Sequence, residues 1–235
     1  MAAASELIEF PSWNRSVAAR ALRRASLPTW ILPLARVFAT VRVEGLHHLS
    51  ELTGPVIFAA NHQSHLDTPV ILMALPPKWR YRVAPAMAKE FFKPHFYPEQ
   101  YGRKAFVTNS LNYYLASLFF NAFPLPQRES GTRQTLRYIG SLIDDGFSVL
   151  IYPEGRRTDA GELARFQPGV GMIAARLQVP VVPVRLDGVD HILHQKWQFP
   201  RRGIARVAFG RPILLSGHDY AGLARRVEEA VRQLQ

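Results

Sequence analysis

The chain has 235 residues, 48% hydrophobic and 20% charged, which is enough for one large domain with a sizeable core and excludes disorder, collagen and coiled coil. It has no cysteine, which removes disulfides, thiol nucleophiles, zinc ribbons and iron–sulfur sites. Twenty-nine basic against 18 acidic residues leave a net charge of +11, favouring an anionic partner: nucleic acid, acidic lipid or a phosphorylated substrate.

Glu6 and Glu9 stand where a secretory signal needs a basic region. From Glu9 to Glu44 no acidic residue occurs, while Arg15, Arg20, Arg23, Arg24, Arg36 and Arg42 interleave with Trp13, Val17, Leu22, Leu27, Trp30, Ile31 and Leu32. Arginine mixed with tryptophan and aliphatics on short helices suits the headgroup zone of an anionic membrane. Residues 1–39 are therefore expected to form a basic, amphipathic, helical membrane-docking segment. The alternative is a helical pair packed on the domain with its arginines in water. Residues 25–35 are uncharged but too short to span, and Pro28 and Pro33 break them.

Residues 40–235 form the second unit, in which strands and helices alternate. A short strand is expected at 41–44. Residues 55–60 (PVIFAA) form an apolar run of the buried-strand type, followed by a turn at 61–67 and a helix at 69–75 that Pro76-Pro77 ends. A strand is expected at 81–84. Residues 133–144 form an amphipathic helix carrying Leu136, Ile139, Gly140 and Ile143 on one side, closed by Gly146. Strand 148–152 (SVLIY), helix 168–177, strand 179–185, strand 205–209 and helix 223–235 follow. The alternation predicts an α/β fold with a mostly parallel central sheet covered by helices.

The longest stretch without Asp, Glu, Lys or Arg is 105–127. Its Asn109, Ser110, Asn112, Tyr113, Tyr114, Ser117 and Asn121 are too polar for lipid, so an interfacial or core segment is expected instead of a span. Aromatic residues crowd the region 91–123, as they do at lipid interfaces, in apolar grooves or in a core helix.

The chemistry concentrates in Asn61-His62-Gln63-Ser64-His65-Leu66-Asp67. Five steps rotate a straight helix by about 140°, so His62 and Asp67 share a side only if a turn folds the aspartate back. Ser64 or Thr68 is expected to cap the following helix, the latter with Pro69 at its first position. Either start leaves His62 at the carboxyl edge of the sheet, where open α/β sheets bind ligands. A carboxylate on one ring nitrogen fixes the tautomer, and the other nitrogen can take a proton from an alcohol. The spacing of His62 with His65, and of His191 with His194, invites a metal, but neither has a matching second pair.

Downstream come Phe123-Pro124-Leu125-Pro126-Gln127-Arg128, then Tyr152-Pro153-Glu154-Gly155-Arg156-Arg157-Thr158, then Phe166-Gln167-Pro168-Gly169, then Val179-Pro180-Val181-Val182-Pro183-Val184. In this order the segments resemble the 1-acylglycerol-3-phosphate acyltransferase (lysophosphatidic acid acyltransferase) family, whose signatures are NHxSxxD, an apolar stretch ending in Arg, FPEGTRS, and an apolar VPxxPV. The resemblance covers about residues 40–215. It implies His62 as general base and Asp67 as its orienting partner. It further implies Asn61, Ser64, Arg128, Glu154, Gly155, Arg156 and Arg157 as substrate-binding residues, the arginines gripping the acceptor's phosphate. Residues 179–184 are implied to line the acyl site. Tyr152 stands in place of Phe, Arg156 in place of Thr, and Gln127 in place of Asp. The two adjacent arginines strengthen an anion site. Glu154 among them is expected either to serve the head group or to position the arginines by a salt bridge.

The implied reaction moves a fatty acyl group from acyl-CoA or acyl carrier protein to the free hydroxyl of a lysophospholipid, foremost 1-acylglycerol 3-phosphate. It needs no cofactor, no metal ion and no acyl-enzyme; the sequence has no GxSxG nucleophile motif. The implied partners are the lysophospholipid acceptor, the thioester donor and an anionic membrane surface, with the chain peripheral or monotopic on the cytoplasmic face. Another acceptor, glycerol 3-phosphate or an amino lipid such as a lyso-ornithine lipid, is the alternative. A membrane-surface module without activity is a further one. No nucleic-acid module is recognisable.

Overall fold

A computed structural model describes residues 10–126, 132–158, 162–194, 196–197 and 199–234. Its strands are β1 (Ala39–Glu44), β2 (Ile57–Ala60), β3 (Val83–Ala88), β4 (Phe123–Leu125), β5 (Ser148–Ile151), β6 (Val181–Asp187) and β7 (Gly203–Phe209). Its helices are α1 (Val17–Ser26), α2 (Leu32–Phe38), α3 (Asp67–Ala74), α4 (Pro77–Arg80), α5 (Lys93–Phe96), α6 (Arg103–Phe120), α7 (Thr132–Asp144), α8 (Gly169–Leu177) and α9 (Tyr220–Arg232).

The strands form one sheet in the order β1-β7-β6-β2-β5-β3-β4. Every pairing is parallel except β6 with β7. The expected α/β architecture is therefore present, with one antiparallel pair. The period of two separates the two cores. On β2, Phe58 and Ala60 join Leu27, Leu32, Val70, Ile71, Leu75 and Phe209 on one face. Ile57 and Ala59 join Ile139, Leu142, Ile173, Val227 and Val231 on the other. The central strands β2 and β5 are buried throughout, so they read as continuous apolar runs.

Several boundaries differ from the sequence expectation, three of them informatively. Helix α3 begins at Asp67, and neither Ser64 nor Thr68 caps it: Leu66 holds the cap position without a side-chain bond. Strand β3 starts at Val83 because Tyr81 and Arg82 complete the turn after α4, with Arg82 N–H donating to Trp79 O at 2.8 Å. The uncharged stretch 105–127 is split: α6 runs to Phe120, Asn121 adopts a left-handed conformation (φ 59°), and β4 follows. Helix α6 is a surface helix, not a core one. It buries Tyr113 and Ser117 and leaves Val107, Leu111, Tyr114 and Leu115 exposed. Among the described residues no helix is long and apolar enough to cross a membrane.

Among the described residues the N-terminal segment is helical from Trp13, as expected. Helices α1 and α2 flank a π-helical turn, Leu27–Ile31, in which Pro28 lies. Leu27 and Leu32 are buried in the core, while Val17, Leu22, Trp30, Leu34 and Val37 face outward. Arg23 fastens α1 to α6: its guanidinium donates to Leu118 O (2.9 Å), Ser117 O (3.3 Å) and Asn14 O (2.9 Å).

Candidate active site

The site grows from the carboxyl end of β2. Asn61, immediately after the strand, donates Nδ2–H to Leu186 O (2.9 Å) and accepts from Leu186 N–H through Oδ1 (2.7 Å). Its amide thereby continues the β2–β6 ladder by one rung with a side chain in place of backbone. Asn61 is fully buried and acts as an anchor. Next to it, Ser64 donates to Leu193 O at 2.6 Å, and its Oγ accepts from Leu66 N–H at 3.2 Å. Gln63 accepts from Val189 N–H at 3.3 Å. These bonds tie the 61–66 turn to the segment following β6.

The turn returns Asp67 onto His62. His62 Nδ1 lies 2.7 Å from Asp67 Oδ2, and the same oxygen accepts from Gln63 N–H (2.7 Å) and Ser64 N–H (3.0 Å). A carboxylate only accepts, so Nδ1 carries the hydrogen, and in the neutral ring Nε2 is then the acceptor. Asp67 is buried, whereas the His62 side chain is about one quarter exposed. The carboxylate is thus dry, while the imidazole keeps contact with solvent.

Tyr152 stacks on the imidazole, ring centroids 4.3 Å apart at 24°. Its hydroxyl bonds to Thr68 Oγ1 at 2.8 Å. Burial and the nearby Asp67 charge hold its pKa well above the phenol range, so it stays a neutral wall.

Glu154 departs from the expected salt bridge. Its Oε1 accepts from His62 N–H (2.8 Å) and its Oε2 from Ala164 N–H (2.8 Å), at 4% exposure. Among the described residues no arginine pairs with it. Burial raises its pKa, and the two backbone donors oppose that rise. Gly155 has φ 68°, a left-handed turn that glycine makes without strain. Thr158 N–H donates to His62 O at 2.9 Å, so both main-chain groups of His62 are held by the 154–158 loop.

Arg157 reaches the site through His65: its Nη1 donates to the imidazole, in contact with Nε2 and Nδ1. Burial, then Arg157, then His62 lower the His65 pKa to about 4, leaving a neutral ring that can accept. Arg156 is exposed. Arg128 lies outside the described residues. The structure thus brings Asn61, His62, Ser64, Asp67, Glu154, Gly155 and Arg157 into one corner. Sequence reasoning did not assign roles to Tyr152, Thr158, Gln63 or His65. A tyrosine at the end of strand 148–152 was visible, but not the ring beneath which it lies.

A histidine oriented by a buried aspartate, in a corner that also holds Arg157, can activate a hydroxyl on a bound substrate. The chain belongs to the Acyltransferase family, whose model matches residues 40–187, so O-acyl transfer is its class of chemistry. It is 27% identical over 221 residues to human 1-acyl-sn-glycerol-3-phosphate acyltransferase beta, covering 92% of this chain and 72% of that protein. It is 26% identical over 184 residues to the chloroplastic 1-acyl-sn-glycerol-3-phosphate acyltransferase BAT2 of Brassica napus, covering 77% of this chain and about half (47%) of that protein. The crystal structure of the 1-acyl-sn-glycerophosphate (LPA) acyltransferase PlsC from Thermotoga maritima shares the fold, with a TM-score of 0.64 at 21% identity, over 93% of this chain and 82% of that one.

Proposed function

We propose that the chain transfers a fatty acyl group from acyl-CoA or acyl carrier protein to the free hydroxyl of 1-acylglycerol 3-phosphate, giving phosphatidic acid. The observation that carries this reading is the 2.7 Å contact of His62 Nδ1 with Asp67, in an open corner that also contains Arg157. The relatives' names supply the acceptor. His62 Nε2 takes the hydroxyl proton as the oxygen attacks the thioester carbonyl. The tetrahedral intermediate collapses, the C–S bond breaks, and the thiolate recovers the proton from the imidazolium. Substrate carries both reacting groups, so no acyl-enzyme, cofactor or metal ion enters.

Arg157, with Arg156 and Arg128, is proposed to grip the acceptor phosphate; guanidinium forks match its oxygens. Residues 179–184 are proposed to border the acyl chain. The N-terminal segment and the exposed side of α6 are proposed to rest on an anionic membrane, with the chain peripheral on the cytoplasmic face. No acidic residue occurs between 10 and 43, and Trp30, Leu34 and Val37 are exposed there.

The test is turnover of lysophosphatidate, glycerol 3-phosphate and a lyso-ornithine lipid, each with labelled acyl-CoA and acyl carrier protein. Phosphatidate is the expected product. Transfer to the ornithine lipid but not to lysophosphatidate would replace the acceptor. A His62→Ala protein is expected to lose about 10²–10⁴-fold in rate.

A further inference from the structure

A second cationic recess lies on the far edge of the sheet. Strands β2, β3 and β5 are parallel, so their amino ends share one edge. His62 follows the carboxyl end of β2, whereas Arg82 precedes β3 and Phe147 precedes β5. Between those two residues and α1 is a cavity of about 60 Å³, lined by Arg20, Arg23, Arg24, Tyr81, Arg82 and Asp145.

Four arginines meet there against one carboxylate. That carboxylate, Asp145, is engaged by Arg15 at 2.6 Å. Arg23 is a fixed charge, 4% exposed and bound to three main-chain oxygens. Burial, followed by repulsion from Arg20, lowers its pKa to about 10. Arg20 and Arg24 are four apart on α1 and exposed, a like-charge spacing that weakens a helix. Arg24 lies over the Tyr81 ring, 5.9 Å from its centroid. Among the described residues no acidic side chain pairs with Arg20, Arg24 or Arg82.

A recess lined by four arginines, three of them without an acidic partner among the described residues, fits a multiply charged oxyanion. The cavity has room for on the order of four waters, comparable to the five heavy atoms of a phosphate. We propose that this recess is a second anion site, separate from the site at His62, in which Arg20, Arg24 and Arg82 bind a phosphate group beside the fixed Arg23. The headgroup of an anionic lipid and free phosphate share that chemistry. Val17 and Leu22, exposed on the same helix, offer apolar contact to the lipid source.

Three forms of the full chain test this: wild type, an R20Q/R24Q/R82Q variant, and a charge-matched R202Q/R211Q/R226Q control altered at exposed arginines elsewhere. One arm is calorimetric titration with inorganic phosphate. The other is flotation with phosphatidylcholine vesicles with and without phosphatidate. The recess variant is expected to lose about tenfold or more in at least one arm while the control loses no more than about threefold. Loss confined to phosphatidate vesicles assigns the lipid headgroup; loss in calorimetry alone assigns a soluble phosphate. Equal losses in both triple variants, or undiminished binding by the recess variant in both arms, overturn the proposal. Absence of binding by wild type in both arms does so as well. The single R82Q form, read in the same two arms, replaces the triple variant if the latter does not melt cooperatively.

Discussion

Glu154 Oε1 accepts a hydrogen bond from the main-chain nitrogen of His62 at 2.8 Å, although 92 residues separate the two. The link is between a carboxylate and a backbone, so it fixes where the catalytic candidate begins its turn without touching the imidazole. Thr158 N–H holds His62 O from the same loop. The FPEGTR-like segment thus supports His62 structurally at the very residue whose charge invites a substrate role.

Glu154→Gln is expected to retain one acceptor and lose the other, because its amide nitrogen would face a backbone N–H. A buried donor without a partner costs about 1–3 kcal/mol. The pH dependence distinguishes charge from shape. Burial raises the Glu154 pKa in the folded state, so the folded chain binds that proton more tightly than the unfolded one. Its contribution is fully present below the unfolded carboxylate range and declines as pH rises through the raised value. The stability of wild type relative to E154Q, measured by urea melts from pH 4 to 7, should therefore fall as pH rises.

Asp67 anchors the imidazole and two main-chain N–H groups through one oxygen. Asp67→Asn keeps the size but places an amide there, which leaves the ring free to adopt the other tautomer. A loss of about 10²–10⁴-fold in kcat with KM within about threefold is expected. Steady-state kinetics with lysophosphatidate and acyl-CoA check it. An unchanged kcat would remove Asp67 from the mechanism.

Much of this is legible in the sequence. The β2 and β5 strands are short apolar runs because both faces are covered, and the turn residues around them mark their ends. The spacing of His62 and Asp67 is weak by itself; the ordered downstream segments, through the family resemblance they carry, single the pair out. The role of Glu154 is not legible there, because a carboxylate beside two arginines reads as their partner when distance along the chain is the only measure. The exposure of α6 was equally hidden: Val107, Leu111 and Tyr114 have the composition of a core helix, and only the neighbouring packing decides which way they face.

His65 occupies a variable position of the motif, yet it receives Arg157. Its pKa of about 4 means the ring is neutral at physiological pH and can accept that bond. The unfolded chain binds the proton more tightly between the ordinary value of 6.5 and about 4, so this contribution is lost as pH falls through that window. His65→Gln retains an acceptor and has no such titration. Melts should show wild type losing stability relative to H65Q on acidification from pH 7 to 4. His65→Lys, a cation against Arg157, is expected to raise the acceptor KM about tenfold with kcat within about threefold.

Arg23 binds α1 to α6 through three carbonyl oxygens contributed by residues 14, 117 and 118. Backbone carbonyls at the end of α6 lack helical partners, so the guanidinium serves as their cap from outside the helix. Arg23→Met keeps the aliphatic bulk and removes every donor, stranding acceptors in a buried setting. A destabilisation of about 3 kcal/mol is expected, since hydrogen bonds to a charged group are worth more than neutral ones. The loss should be local. Hydrogen exchange should rise in α1 and the last turns of α6, while β2, β5 and β6 stay protected. Uniform exchange across the sheet would mean that the two helices are part of the global folding unit and that Arg23 acts on the whole domain.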